Sequence, residues 1–461
     1  MDSLRRTVFL ALLATVPVIG QDSAKTEAPK RNWAALHKDG YAAFTGARYA
    51  DALADFQTSL PLASTPRARA MTLSDIGYTL TELGRRDDAL AELQTALALW
   101  RSIDPAGSRA QQVAITVAML QHTFGRFREA EQTSRAALDA IPRASPDRAV
   151  ALAALGNLLY EEGRLMEARE TFEDALKLSP GRNQIRASAL IGLGDAESAD
   201  RQSTPAVAHL REALEISNEI KAPESEALAL RDLANTYIDM GDMVSAKYML
   251  RRALAIFDAV PSMRVQYAGT LDSLGIVYAH ENKLAMAEDA FTRALKVYEG
   301  APGSPRSALA LESMARIRVR QKRFAEATDF ASRAYTVLKS AAGENSAAAA
   351  AALGTLAFVQ QEAGDLEQSE HTYSAAIRVL RDDGGLDSKF ASDILSGYAR
   401  VLRKLHRQRE AKALKQQVKA FRPGAIRSDA QLGNLRRIPL PFSHPELIHN
   451  LSKVFQPCPS P

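Results

Sequence analysis

The sequence predicts an all-α fold: an α-solenoid, wound as a right-handed superhelix, of about ten helix-turn-helix repeats. Three observations predict it. One pattern recurs along most of the chain, small residues keep a fixed phase within it, and turn residues fall at one place in each copy. The stretch LGNLLYEEGRLMEARETFEDALKLSP (155–180) returns as IGYTLTELGRRDDALAELQTALAL from 76, LANTYIDMGDMVSAKYMLRRALAI from 233 and LGIVYAHENKLAMAEDAFTRALKV from 274. Aligning the copies on the residue that opens the contact face of the second helix gives ten anchors: Ala52, Ala89, Ala130, Ala168, Ala206, Ala246, Ala287, Ala327, Ser369 and Ala411. Their spacing is 37 to 42 residues, and periods of this length mark stacked supersecondary units.

Each copy opens with a helix whose apolar residues fall at helical spacing, as in Leu152, Leu155 and Leu159. A turn follows, carried by Gly84, Gly125, Gly163, Gly241 and Gly364 in five copies. Glycine ends a helix by entering the left-handed region without steric cost. The second helix runs to an Ala-Leu pair such as Ala253-Leu254, and Pro142 and Pro180 close two units because proline cannot continue a helix. Twelve residues before the anchors stand Gly40, Gly77, Ala118, Gly156, Gly194, Ala234, Gly275, Ala315, Ala357 and Ala399. Seven residues after them, eight of ten positions are alanine; Ser59 and Val418 depart in the terminal copies. Helices approaching within about 8–10 Å need small side chains where they cross. The bulky Phe172, Leu210, Leu250, Phe291 and Tyr373 are then expected to fill the adjoining hole.

This order of small residue, turn glycine, alanine, bulky residue, alanine and closing proline resembles the tetratricopeptide repeat. The period exceeds that family's usual length of about 34, and the longer unit, with AEDAFTRAL and RALKVYEG, looks like the kinesin light chain subtype. The resemblance runs roughly from residue 33 to 421, within a repeat array placed at 33–423. It implies a non-catalytic scaffold for protein partners, with the first helices lining a concave groove.

The ends differ from the array. Residues 1–20 read as a signal peptide: Arg5 and Arg6 precede an apolar run from Val8 to Ile19, which fits a secretory h-region and is too short to span a bilayer. Cleavage after Gly20 and export to a periplasmic or secreted location are expected. Residues 424–461 form a proline-rich tail, in which Leu447, Ile448, Leu451, Val454 and Phe455 would share one face of a short helix. That face would dock on the array, or the tail would remain unfolded; the residues leave both open. The single cysteine, Cys458, excludes an internal disulfide framework.

Composition names no partner by itself. The net charge is +4 and aromatic content 6%, modest for a surface that stacks nucleic-acid bases. The charge is uneven: Arg400 to Arg437 carries twelve Lys or Arg against Glu410 and Asp429, and ARIRVRQKR begins at 315. Such runs form a solvated face or meet an anionic partner. The eight histidines are scattered without an i, i+4 pair, so no metal or other cofactor is expected. There is no phosphate-binding glycine loop and no nucleophile elbow, and carboxylates such as Glu161, Glu162 and Glu170 read as surface groups. No enzyme is expected.

What remains is the groove. Eleven residues before the anchors, side chains are expected to point inward: Tyr41, Tyr78, Met119, Asn157, Asp195, Asn235, Ile276, Arg316, Phe358 and Arg400. Asparagine amides both donate and accept, so they can hold the backbone of an extended peptide. Asn157 and Asn235 match the family's peptide-clasping asparagine. The candidate site is therefore Asn157, Tyr160, Arg231, Asn235, Arg316 and Arg400, with the arginines favouring acidic ligands. Two functions stay open. One is an exported scaffold binding a peptide or protein segment in the groove. The other is a regulator or adaptor whose basic C-terminal face meets an acidic protein, lipid surface or nucleic acid; export would make nucleic acid an unexpected partner.

Overall fold

Alanine, leucine, glutamate and arginine dominate the repeats, and these are strong helix formers. The computed structural model describes residues 32–420, apart from 47, 125, 144, 146, 261–262, 300–305 and 383–388. The expected signal peptide, Gly125, the proline-rich tail with its expected apolar face, and Cys458 lie outside the described residues. Twenty α-helices occur among the described residues, two per repeat. Repeats 1 to 5 are Trp33–Thr45 with Tyr49–Ser59, Pro66–Glu82 with Arg86–Ile103, Ser108–Thr123 with Phe127–Ala140, Asp147–Glu161 with Leu165–Leu178, and Gln184–Ala199 with Ser203–Glu219. Repeats 6 to 10 are Pro223–Met240 with Met243–Asp258, Arg264–His280 with Leu284–Glu299, Arg306–Arg320 with Phe324–Ala342, Ala347–Ala363 with Leu366–Asp382, and Lys389–Lys404 with Gln408–Ala420. No helix among the described residues is long and apolar enough to cross a membrane.

The described residues form two compact units. The first holds repeats 1 to 4 and residues 184–196 and 215–219 of repeat 5; the second holds 197–214 and repeats 6 to 10. Within each unit the helices of a repeat pack on each other, and the second helix packs on the first helix of the next repeat. First helices of successive repeats also touch, as repeat 3 does repeat 4 and repeats 6 to 10 do in series. This stacking in chain order is the architecture the α-solenoid reading expects.

The small residues sit where their phase requires. A Cβ added at Gly156 would lie 2.8 Å from the Phe172 ring, and one at Gly192 of the next repeat only 2.4 Å from it. Phe172 is fully buried between those two glycines. Gly40 with Phe56, Gly77 with Leu93 and Gly275 with Phe291 repeat the arrangement, each closer than 3.0 Å. Ser369, standing where the other anchors are alanine, is fully buried, and its hydroxyl donates to the Ala357 carbonyl at 2.7 Å. The array thus accepts a polar anchor when its hydrogen bond is satisfied.

The turns extend the sequence reading. Gly84, Gly163, Gly241 and Gly364 all have positive φ. The equivalent residues of repeats 5, 7, 8 and 10 are Arg201, Asn282, Lys322 and His406, and they also hold φ between 60° and 63°. The next residue explains the recurring Gly-Arg pair. Arg85, Arg164, Arg323 and Arg407 each clasp an acid three residues later, Asp88, Glu167, Glu326 and Glu410, at 2.6–2.7 Å. That places a carboxylate in the first turn of the second helix, where the dipole favours it. Exposed pairs of this kind contribute only tenths of a kcal/mol each, roughly 0.2–1. Arg164 does more, because it also reaches Glu131 of the preceding repeat at 2.8 Å.

Candidate functional site

Because successive first helices touch, their exposed rows meet in a fixed register. The residue eleven before one anchor lies against the residue fourteen before the next. Tyr41 faces Asp75, and Tyr78 lies beside Thr116. Asn235 accepts a hydrogen bond from the Ser273 hydroxyl at 2.9 Å, and a terminal nitrogen of Arg316 lies 3.4 Å from the Thr355 hydroxyl. The row expected to hold a ligand therefore also forms a seam between repeats.

This register decides where each candidate residue stands. Asn157 is half-buried and donates to the Ala153 carbonyl of its own helix at 2.8 Å; the corresponding place in the next repeat is Gly192, which offers no side-chain partner. Tyr160 packs against the apolar core of repeat 4. Arg231 is only 7% exposed and grips Asp232 through two nitrogens at 2.7 and 3.0 Å. The adjacent carboxylate therefore engages the Arg231 charge inside the fold.

Arg316 and Arg400 are brought together, in the second unit. Both act on Tyr373, whose burial pushes its hydroxyl up to about 12 while the two arginines oppose that shift. Arg400 is half-buried and makes no hydrogen bond or ion pair among the described residues. Arg316 lies over the Phe358 ring, 5.5 Å from its centre, and its buried Nε has no hydrogen-bond partner. One turn earlier on the same helix, Glu312 is 1% exposed and neither carboxyl oxygen finds a hydrogen bond of good geometry. Burial raises its pKa to about 7, against the opposing influence of Arg316 and of Thr355. Burial likewise lowers the pKa of Arg316. Asp393 also acts on Arg316, and Glu362 on Tyr373, so the two guanidiniums stand among carboxylates, with the Nε of Arg316 left without a hydrogen bond.

Other polar groups were not legible as pairs in the sequence. His37 contacts Asp75 at 2.7 Å, His122 contacts Glu161 at 3.1 Å, and His209 contacts Glu197 at 2.8 Å. Burial holds His122 down at about 4. The reading of Glu161 and Glu162 as surface groups is corrected: both are half-buried, Glu161 against His122 and Glu162 against Arg164. Each cross-repeat pair joins residues nearly one period apart, so no local motif announces it. Part of the C-terminal basic run is engaged, since Arg407 binds Glu370 and Glu410 and Arg403 donates to the Ala399 carbonyl at 3.3 Å. The run beyond Ala420 lies outside the described residues.

Comparison with known proteins agrees with this geometry. A family model described as tetratricopeptide repeat matches residues 147–219, 185–259 and 266–340, and a second model of the same description matches 69–103. No curated protein matches significantly. Among solved structures, the Rap protein complexed with Competence and Sporulation Factor is similar, with a TM-score of 0.53 and 12% identity over 76% of this chain and 97% of that one. BtubC (BKLC) from P. vanneervenii gives a TM-score of 0.41 and 19% identity over 50% of this chain and 96% of that one. The matched models, the recurring small residues and the left-handed turns together identify residues 69–103, 147–259 and 266–340 as tetratricopeptide repeats.

Proposed function

We propose that this chain is an exported, non-catalytic scaffold that holds an extended, acidic segment of a partner protein on the first-helix face of its second unit. The observation that carries the reading is the pair Arg316 and Arg400 beside Tyr373, with Arg400 lacking any protein hydrogen bond among the described residues. A guanidinium fork matches a carboxylate in two hydrogen bonds, which supplies selectivity as well as affinity. Asn235 serves the seam with repeat 7, and Asn157 is served by its own helix. Recognition then rests on the arginines more than on the asparagines. The Rap protein of similar fold was solved with a bound factor, which is consistent with a ligand-holding role. Export rests on Arg5, Arg6 and the apolar run Val8 to Ile19.

The test uses the full chain and fluorescein-labelled extended peptides, one glutamate-rich and one lysine-rich, read by anisotropy. The glutamate-rich peptide should bind more tightly, and Arg400→Ala should weaken it about tenfold, the effect of one charge-assisted hydrogen-bonding group. The exposed Glu170→Lys in repeat 4 should change little. Equal affinity for both peptides, or equal losses from Arg400→Ala and Glu170→Lys, would remove the acidic-segment reading. Sequencing the N-terminus of the mature protein tests export, with Gln21 expected as its first residue.

A further inference from the structure

The ten repeats supply their own control for one surface of the second unit. Two residues before and two residues after each anchor, the side chains of the second helix are exposed in every repeat. Folding needs nothing apolar at these places: repeat 2 has Asp87 and Ala91, repeat 7 has Ala285 and Asp289, and repeat 9 has Glu367 and His371. Repeat 6 alone sets a large apolar residue at both, Val244 at 76% exposed and Tyr248 at 60%. Four residues apart on the helix Met243–Asp258, they share one face. The exposed Met240 closes the first helix of the same repeat, and the exposed Met286 lies in the first turn of the second helix of repeat 7. Four of the nine large apolar side chains exposed among the described residues thus fall in two adjoining repeats, which sets this surface apart from scattered exposure.

The patch is also held in shape. The Arg252 guanidinium lies 6.0 Å from the centre of the Tyr248 ring and is itself gripped by Glu226 at 2.9 Å. A ring fixed in this way loses little freedom on binding. Side chains of this size, so exposed, present together about 400 Å² of apolar surface. Two such patches face to face would bury about 800 Å², the apolar core of a stable interface of about 1,200–1,400 Å² in total. Exposed charges of both signs accompany it in repeats 6 and 7: Asp242, Asp258 and Asp289 with Arg251, Lys283 and Arg293. A balanced set of charges meets its own copy without net repulsion and gives an anionic lipid surface no net attraction.

We propose that the outer face of repeats 6 and 7, centred on Val244 and Tyr248, joins two copies of this chain about a two-fold axis. The same patch on both copies is what a two-fold contact requires. Aromatic side chains and methionine are enriched at the core of such contacts. The inference is independent of the acidic-segment reading, because it uses second helices and leaves the first-helix face of each copy to its ligand.

The experiment uses the full chain in analytical ultracentrifugation over a concentration series. The parent should sediment as a dimer that dissociates on dilution. Tyr248→Asp and Val244→Asp should each raise the dimer dissociation constant at least a hundredfold, since a two-fold contact loses the side chain twice, and both should keep the parent's helical circular dichroism and melting temperature at a dilution where all are monomers. Ala91→Asp makes the same kind of change at the equivalent place in repeat 2 and should leave the dimer intact. A parent that is monomeric at every concentration would overturn the proposal, as would a dimer insensitive to Tyr248→Asp and Val244→Asp or equally sensitive to Ala91→Asp. Sedimentation of a monomeric parent with phosphatidylserine vesicles, lost in Tyr248→Asp, would assign the patch to lipid and overturn the second copy as its occupant.

Discussion

Repeats 4 and 8 build the same helix pair from opposite residues. Repeat 4 has Gly156 at the crossing, Gly163 in the turn and the fully buried Phe172 ring between Gly156 and Gly192. Repeat 8 has Ala315 at the crossing, Lys322 in the turn and Ala331 where the ring would be. Lys322 holds the same left-handed conformation as Gly163, φ +60° against +76°. Repeat 4 is locally consistent throughout, whereas repeat 8 tolerates a strained turn and buries Glu312 beside Arg316. The difference teaches that the stack, and not the turn residue, imposes the turn. Both repeats hold candidate residues, Asn157 and Tyr160 in repeat 4 and Arg316 in repeat 8, and it is the less comfortable repeat that carries an arginine on which the proposed function rests.

The comparison breaks most severely at the crossing of repeat 4. Gly156→Leu must push into Phe172, so it should destabilise by about 3 kcal/mol, near the upper end of typical overpacking. Denaturant unfolding checks it, and an unchanged midpoint would mean that the two helices do not cross at Gly156.

Next in size is Glu312. Burial lifts its folded pKa from the ordinary 4.5 to about 7, so the folded state holds the proton more tightly. Its contribution is fully present below about pH 4.5 and is lost as pH rises through about 7. Glu312→Gln should therefore match the parent near pH 4 and exceed it at pH 8 by on the order of 3 kcal/mol, from about 1.4 kcal/mol per pKa unit for a fully buried group. Melting curves across that range would contradict this if the two proteins stayed parallel.

The turns give the third comparison. Gly163→Val forces a branched side chain to positive φ and should cost about 1–2 kcal/mol. Lys322→Gly relieves the same strain and should stabilise by about 0.5–1 kcal/mol, since glycine's greater unfolded freedom offsets part of the gain. Two destabilised variants would show that Lys322 makes contacts worth more than its strain.

The smallest effect separates the asparagines. Asn235→Ala removes one of the two acceptors near the Ser273 hydroxyl, the one that ties repeat 6 to repeat 7, and should cost about 1 kcal/mol. Asn157→Ala loses only a bond to its own helix and gains helix propensity, so it should be neutral within about 0.5 kcal/mol. Equal costs would mean that Asn157 also serves a seam.

The sequence by itself determined the repeat, its period, the all-α class and the phase of the small residues. Each of those is written locally: Gly156 and Phe172 lie sixteen residues apart in one helix pair, and Gly163 declares its own turn. Only the tertiary structure decided which inward residues are available to a ligand. Asn235 and Arg231 looked alike as candidates, yet Ser273 in the next repeat engages one and Asp232 the other. The pairing of His37 with Asp75 escaped notice because nothing near either residue in sequence announces the other. The left-handed turns at Arg201, Lys322 and His406 were hidden for the same reason. Partners one period away act through the packing of neighbouring helices, so their effect exists only once the repeats are stacked.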